Sequence, residues 1–184
     1  MNTTSLDFSH VGIHVYDMDA MVGFYQRVLG LVVTDRGNLP GRELTFMSRN
    51  PREHHQVVLA SGRTGAREDK VINQISFRAS SLEELQKLYT WVRNEPQASG
   101  FRTINHGNAW TLYFHDPEGN RLEVFVDSPW YVAQPCSEPL NLDTSADAIR
   151  EQTEALCRRD PSFELAEVWR TKLASRIESG IRNI

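Results

Sequence analysis

Polar and apolar residues alternate over Phe8-Ser-His-Val-Gly-Ile-His-Val-Tyr-Asp17, and they do so again over Val71-Ile-Asn-Gln-Ile-Ser-Phe-Arg-Ala-Ser80. Successive side chains of a strand point to opposite faces. The first run therefore sets His10, Gly12 and His14 against Val11, Ile13 and Val15, and the second sets Gln74, Ser76 and Arg78 against Asn73, Ile75 and Phe77. Each run leads into a helical pattern. After Asp17, a candidate N-cap, Met21, Phe24, Tyr25, Val28 and Leu29 recur at helical spacing up to a terminating Gly30. After the capping box Ser81-Leu-Glu-Glu84 come Leu85, Leu88, Tyr89 and Val92, and Pro96 to Gly100 stops that helix.

The strands that follow repeat as well. In the first half they are Leu31 to Thr34, Glu43 to Met47 and His54 to Leu59, separated by turns at Asn38-Leu-Pro-Gly41 and Asn50-Pro-Arg52. In the second half they are Phe101 to Ile104, Trp110 to Phe114 and Leu122 to Val126, with turns at Asn105-His-Gly-Asn108 and Asp116-Pro-Glu-Gly-Asn120. A polar linker, Ser61 to Lys70, joins the halves. The pattern predicts an α+β fold, two paired βαβββ modules (about 6–60 and 71–127) forming a cupped mixed sheet, within a domain spanning 1–135.

Residues 136–184 read as a helical C-terminal extension, preceded by an aromatic strap from Ser128 to Pro135. Thr144 or Ser145 can cap one helix running through Cys157, and Asp160-Pro161 can start a second whose Leu165, Val168, Trp169, Leu173 and Ile177 form an apolar stripe. That stripe requires a partner, either the domain's own back or another subunit, and a homodimer is the expectation.

Length favours one domain. The apolar and charged fractions, 40% and 24%, are ordinary, and a formal charge of −4 leaves no electrostatic footprint for nucleic acid or an anionic membrane. The chain shows no basic leader followed by an apolar run and no apolar stretch of about 18 residues, so the expectation is a cytoplasmic protein. Cys136 and Cys157 lack metal-type spacing and read as free thiols.

The repeat carries candidate chemistry. Asn50-Pro51 before His55 answers Asp116-Pro117 before Glu123, so each half offers one polar side chain early in its first strand, His10 or Gln74, and one on its last strand, His55 or Glu123. The expectation is that these four converge. Glu123 lies between Leu122 and Val124, where an unpaired carboxylate would cost roughly several kcal/mol, so a metal or cation is expected to compensate it. His14 and His115 read as structural.

The runs His10-Val-Gly-Ile13, Gly23-Phe-Tyr-Gln-Arg-Val-Leu-Gly-Leu31 and Tyr113-Phe-His-Asp-Pro-Glu-Gly-Asn-Arg-Leu-Glu123 closely resemble the vicinal oxygen chelate superfamily, over about the first 127 residues. That superfamily holds glyoxalase I, bleomycin-resistance proteins, fosfomycin-resistance enzymes and type I extradiol dioxygenases. Within it the chain looks most like the small single-pair extradiol dioxygenases. The resemblance implies a metal set of His10, Gln74 and Glu123, with Gln74 standing where that branch has a histidine and where glyoxalase-like members use glutamine. It implies catalytic roles for His55 as acid/base, and for Tyr113 and His106 in orienting substrate.

The function so implied is ring cleavage of a catechol-like aromatic by dioxygen, with a divalent metal: Fe2+ foremost, then Mn2+, Ni2+ or Zn2+. Phe114, Trp110, Phe125 and Trp130 are candidate apolar walls. Two alternatives stand beside this reading: a glyoxalase-like lyase or isomerase, and a metal-free small-molecule-binding protein of the bleomycin-resistance kind.

Overall fold

The computed structural model describes residues 7–67 and 71–183. Strand β1 (Val11–Val15) feeds helix α1 (Met18–Leu29), followed by β2 (Val32–Leu39), β3 (Arg42–Ser48) and β4 (Val57–Ser61). The order then repeats as β5 (Ile75–Arg78), α2 (Leu82–Val92), β6 (Ser99–Asn105), β7 (Ala109–His115) and β8 (Arg121–Asp127). Each module forms a mixed sheet of its own, β1-β4-β3-β2 and β5-β8-β7-β6, whose first strand runs parallel to its last. The class is α+β, built of paired βαβββ modules.

Local signals act as their chemistry requires. Asp17 caps α1 by accepting from the Ala20 N–H, and Gly30 closes it in the left-handed region at φ 64°. Ser81 caps α2 by accepting from the Glu84 N–H. Ile13 and Val15 are buried while Gly12 and His14 stay exposed, as the alternation demands. Met21, Phe24 and Tyr25 of α1 are fully enclosed in the same core as Val15, Met47 and Leu59, each contributing about 1.5–3 kcal/mol by its burial.

The aromatic strap contains β9 (Trp130–Tyr131), and the C-terminal extension contains β10 (Glu138–Pro139), α3 (Ala146–Cys157), β11 (Glu164–Leu165) and α4 (Ala166–Asn183). Strand β10 adds to the second sheet beside β6, and Leu140, Leu142, Ile149 and Cys157 join the modules' core. On α3, the Thr153 hydroxyl accepts from Asn105 Nδ2 at 2.8 Å and from Trp110 Nε1 at 2.7 Å, tying the helix to the second module. Helix α4 begins later than Asp160-Pro161 suggested. Asp160 accepts from the Ser162 N–H in a tight turn, and Glu164–Leu165 pairs with Tyr131–Trp130 before the helix starts. Trp169 stacks on Tyr131 at 4.8 Å, whereas Leu165, Val168 and Ile177 remain exposed. No helix among the described residues is long and apolar enough to cross a membrane.

The turn between β7 and β8 joins the modules. Asp116 accepts from the N–H groups of Glu118 and Asn120 and, at 3.2 Å, from the Tyr25 hydroxyl on α1. Burial pushes the Asp116 carboxyl above the usual carboxylate range. Glu118 accepts from the backbone N–H groups of Tyr16 and Asp17 at 2.7 and 2.8 Å, and from Arg63 at 3.2 Å. Replacing Glu118 by Ala strands a largely buried guanidinium and two N–H groups, and should cost about 3–5 kcal/mol in urea unfolding. Glu118→Gln, which retains an acceptor, should cost less. Equal, small losses in both variants would show that the clamp contributes little.

Candidate active site

Two polar clusters form, one in each module. In the first, His10 at the entry to β1 and His55 just before β4 lie with ring centroids 4.2 Å apart. His55 precedes the last strand rather than lying on it, because β4 begins at Val57. His54, beside it, reaches Asp35 on β2 through Nε2 at 2.9 Å, and its Nδ1 lies 2.9 Å from His55 Nδ1. A carboxylate only accepts, so His54 Nε2 carries a proton. With His54 neutral, its Nδ1 then accepts from His55 Nδ1–H, and His55 Nε2 keeps a lone pair. Burial, followed by the positive charge that His10 and His54 carry when protonated, lowers the His55 pKa below the ordinary histidine value. His55 is thereby set up as a neutral base. Asp35 and His54 were not legible as partners, since they meet only when β2 folds back against the loop.

In the second cluster Glu123, 8% exposed on β8, accepts from Gln74 Nε2 at 2.8 Å and also from the Ser76 hydroxyl. These neutral donors both engage Oε2 and so solvate one oxygen of the carboxylate. Tyr113 is paired across the strands with Glu123. Burial first, then hydrogen bonding to Glu123 and its negative charge, pushes the Tyr113 phenol up to about 12. On its other side the phenol oxygen lies 3.2 Å from His106 Nε2, while His106 Nδ1 reaches the Cys136 carbonyl at 2.6 Å. That carbonyl fixes a proton on Nδ1, so with His106 neutral its Nε2 is an acceptor that competes with Glu123 for the single Tyr113 proton. Beside this line lies a pocket of about 270 Å³ bounded by His106, Thr111, Glu123, Phe125 and Gln134. The buried Thr111 hydroxyl has no hydrogen-bond partner among the described residues.

The structure thus joins His10 with His55, Gln74 with Glu123, and His106 with Tyr113, but not all four repeat-related residues in one cluster. Strand register also revises the repeat. Gly12 is opposite Val58 and Ser76 is opposite Glu123, so with His10 equivalent to Gln74 it is Val58, not His55, that stands at the Glu123 position. Of the expected apolar walls, Trp110, Phe114 and Trp130 are buried in the core and only Phe125 lines the pocket. Imidazole, carboxylate and amide oxygen suit Fe2+ and its neighbours in kind. In place, no three His, Cys, Asp or Glu side chains among the described residues are grouped to hold a metal ion. For Glu123 to serve as a ligand beside His10, it would have to share or exchange the bonds from Gln74 and Ser76.

Residues 7–124 match the model of the Glyoxalase/Bleomycin resistance protein/Dioxygenase superfamily, and the chain belongs to that superfamily. Among curated proteins it is similar to biphenyl-2,3-diol 1,2-dioxygenase 2 of Rhodococcus globerulus, 26% identical over 133 residues that span 68% of this chain and 65% of that protein. Solved structures share the fold. A glyoxylase/bleomycin resistance protein/dioxygenase domain from Frankia sp. EAN1pec aligns with TM-score 0.58 at 20% identity, over 68% of this chain and 100% of that one. The genomically encoded fosfomycin resistance protein of Listeria monocytogenes, in its monoclinic form, aligns with TM-score 0.53 at 16% identity, over 68% and 94%. Another structure of that protein, TM-score 0.50 at 13% identity over 68% and 95%, holds Mn(II) and sulfate.

A phenol with a raised pKa remains a hydrogen-bond donor at neutral pH. Its contribution to stability is present below the ordinary tyrosine value and lost as pH rises through about 12. Spectrophotometric titration of the folded chain to about pH 11 should leave un-ionised Tyr113 and the buried Tyr25, whose pKa burial and Asp116 also raise. Tyr113→Phe should remove one late-titrating phenol and leave the early phase unchanged; loss from the early phase would contradict the assignment.

Proposed function

We propose that the chain takes a catechol-like aromatic diol in the second module's pocket and acts on it as a metal-dependent, extradiol-type ring-cleaving dioxygenase. The observation that carries this reading is the line His106, Tyr113, Glu123, in which a protonated phenol stands between a histidine acceptor and a buried carboxylate. Superfamily membership and the similarity to a biphenyl-diol dioxygenase support it. His10 and Glu123, with the Gln74 amide, are the residues proposed to hold the ion, Fe2+ or a related divalent metal. Such an ion, when bound, supplies chelation of the two vicinal oxygens and acidifies a hydroxyl.

The remaining roles belong to side chains. Tyr113, whose one proton His106 holds, accepts from a substrate hydroxyl and fixes its orientation. Phe125 offers an apolar face to the ring. His55 Nε2, left unprotonated at neutral pH by the lowered pKa and oriented by the Asp35–His54 chain, exchanges a proton during turnover. Dioxygen and the aromatic are the proposed partners, in a cytoplasmic homodimer.

One observation favours a second reading. Glu123 is satisfied by Gln74 and Ser76, which is the environment of a metal-free protein that binds an aromatic ligand without turnover. The two readings separate under anaerobic loading with Fe2+ followed by oxygen uptake on a catechol panel. Turnover is expected, with Glu123→Ala abolishing both metal binding and uptake. His55→Gln should keep the metal and lower uptake by roughly 10²–10⁴-fold. A loaded wild type that consumes no oxygen with any catechol transfers the case to the binding protein.

Gln74 is expected to weaken the metal. Its amide is uncharged, and Glu123 already engages it, so Gln74→His should tighten Fe2+ binding in chelator competition. Unchanged affinity would remove Gln74 from the proposed ligand set. Wild-type activity should rise as pH passes the lowered His55 pKa, and Asp35→Asn should displace that limb of the profile. An unmoved limb would show that the Asp35–His54 chain does not tune His55.

A further inference from the structure

Two buried side-chain oxygens have no hydrogen-bond partner among the described residues, the hydroxyls of Thr45 and Thr111. A hydroxyl buried without a partner gives up its hydration and gains nothing in exchange. Thr45 shares its face of β3 with the fully buried Met47. Thr111 stands elsewhere: 0% exposed to water, it nonetheless lines the pocket beside Glu123. Strand register says where. Tyr113 lies across from Glu123 and Thr111 across from Phe125, so Thr111 is the neighbour of Tyr113 on the same face of β7, about 6.8 Å along the strand. That is the span of a benzene ring carrying a substituent opposite its hydroxyl.

The other polar groups of the pocket are already engaged. The Gln134 amide donates to the His106 and Val132 carbonyls and accepts from the Cys136 N–H. Asp127 is ion-paired to Arg78 and, at 3.6 Å, to Arg170, so its charge is matched and calls for no cation on a ligand. No lysine or arginine lines the pocket among the described residues, whereas Glu123 does, so an anionic substituent would meet like charge without a partner. The Thr111 hydroxyl, which can both donate and accept, is left to a neutral group.

We propose that Thr111 determines specificity by exchanging a hydrogen bond with a neutral polar substituent, a hydroxyl or an amide, across the aromatic ring from the vicinal oxygens. This deepens the reading that the pocket takes a catechol-like diol and rests on it. An alkyl substituent at the same place leaves the threonine unpaired, and a site built to pair a polar group rejects the analogue that lacks it.

Anaerobic calorimetric titration of the full chain loaded with Fe2+ tests this with catechol and with catechols bearing a hydroxymethyl, ethyl or carboxylate group para to one hydroxyl. The hydroxymethyl compound should bind about tenfold more tightly than its near-isostere, the ethyl compound, and the carboxylate more weakly than the hydroxymethyl compound. Thr111→Val, which deletes the hydroxyl at nearly constant shape, should bring the hydroxymethyl and ethyl compounds to about equal affinity, and Thr111→Ser should keep the preference. Thr111→Val should also melt at or above the wild-type temperature, because it removes an unpaired polar group. A marked fall in Tm would show that the hydroxyl has a partner inside the protein and would overturn the proposal. So would a preference that survives Thr111→Val, or tightest binding of the carboxylate. If the diols bind and the wild type does not separate hydroxymethyl from ethyl, the role of Thr111 alone falls. If no diol binds, catechol included, the placing of a diol in this pocket falls and takes the role of Thr111 with it.

Discussion

Glu118 places one oxygen on the N–H groups of Tyr16 and Asp17, at the start of the first module's helix, and the other on Arg63, in the linker between modules. At 2% exposure these contacts are shielded from water and act at low effective dielectric. The neighbouring Asp116 reaches Tyr25 in the interior of the same helix. The two sheets share no strand pairing among the described residues, so this acidic turn, together with Arg27 of α1 on Glu95 and Gln97, supplies the polar connection between them while the common core supplies the apolar one. An isolated buried carboxylate would be expelled toward water. Here two backbone donors and a guanidinium hold it, and the module interface is defined as a result.

The surfaces available for function follow from that clamp. Arg63 is held by Glu118 and the Tyr16 face, and Arg67 is placed by the same ring and the carbonyl preceding Glu118. On the far side of β8, Glu123 solves the burial problem differently, with neutral donors. Two acidic side chains five residues apart thus have different chemistry. Glu118 is neutralised and structural, whereas Glu123 retains its charge among groups that can yield to a ligand.

The two polar clusters give the superfamily assignment its chemical content. One carries a histidine whose pKa burial and its histidine neighbours lower and which a chain to Asp35 orients; the other carries a phenol whose pKa burial and a nearby carboxylate raise. At neutral pH the imidazole therefore keeps a lone pair and the phenol keeps its proton.

The sequence by itself determined the local elements. Alternation over Val11–Val15 and Ile75–Arg78, the caps at Asp17, Ser81 and Ser145, and Gly30 in the left-handed region depend on contacts within a few residues, so their physics is written in adjacent letters. The pairing of Gln74 with Glu123 was half visible, since both fall on polar faces of equivalent strands. What only the tertiary structure decided were pairings between distant segments and the register that produces them. Register placed Val58 rather than His55 opposite the Glu123 position, turned Trp110 and Phe114 into the core, and delayed α4 until Glu164–Leu165 had paired with Tyr131–Trp130. It also carried Asp35 to His54 and Glu118 to the helix of the other module. A strand's period of two states which face a residue takes, but not which residue lies across from it, because a slip of two positions preserves the pattern and exchanges every partner.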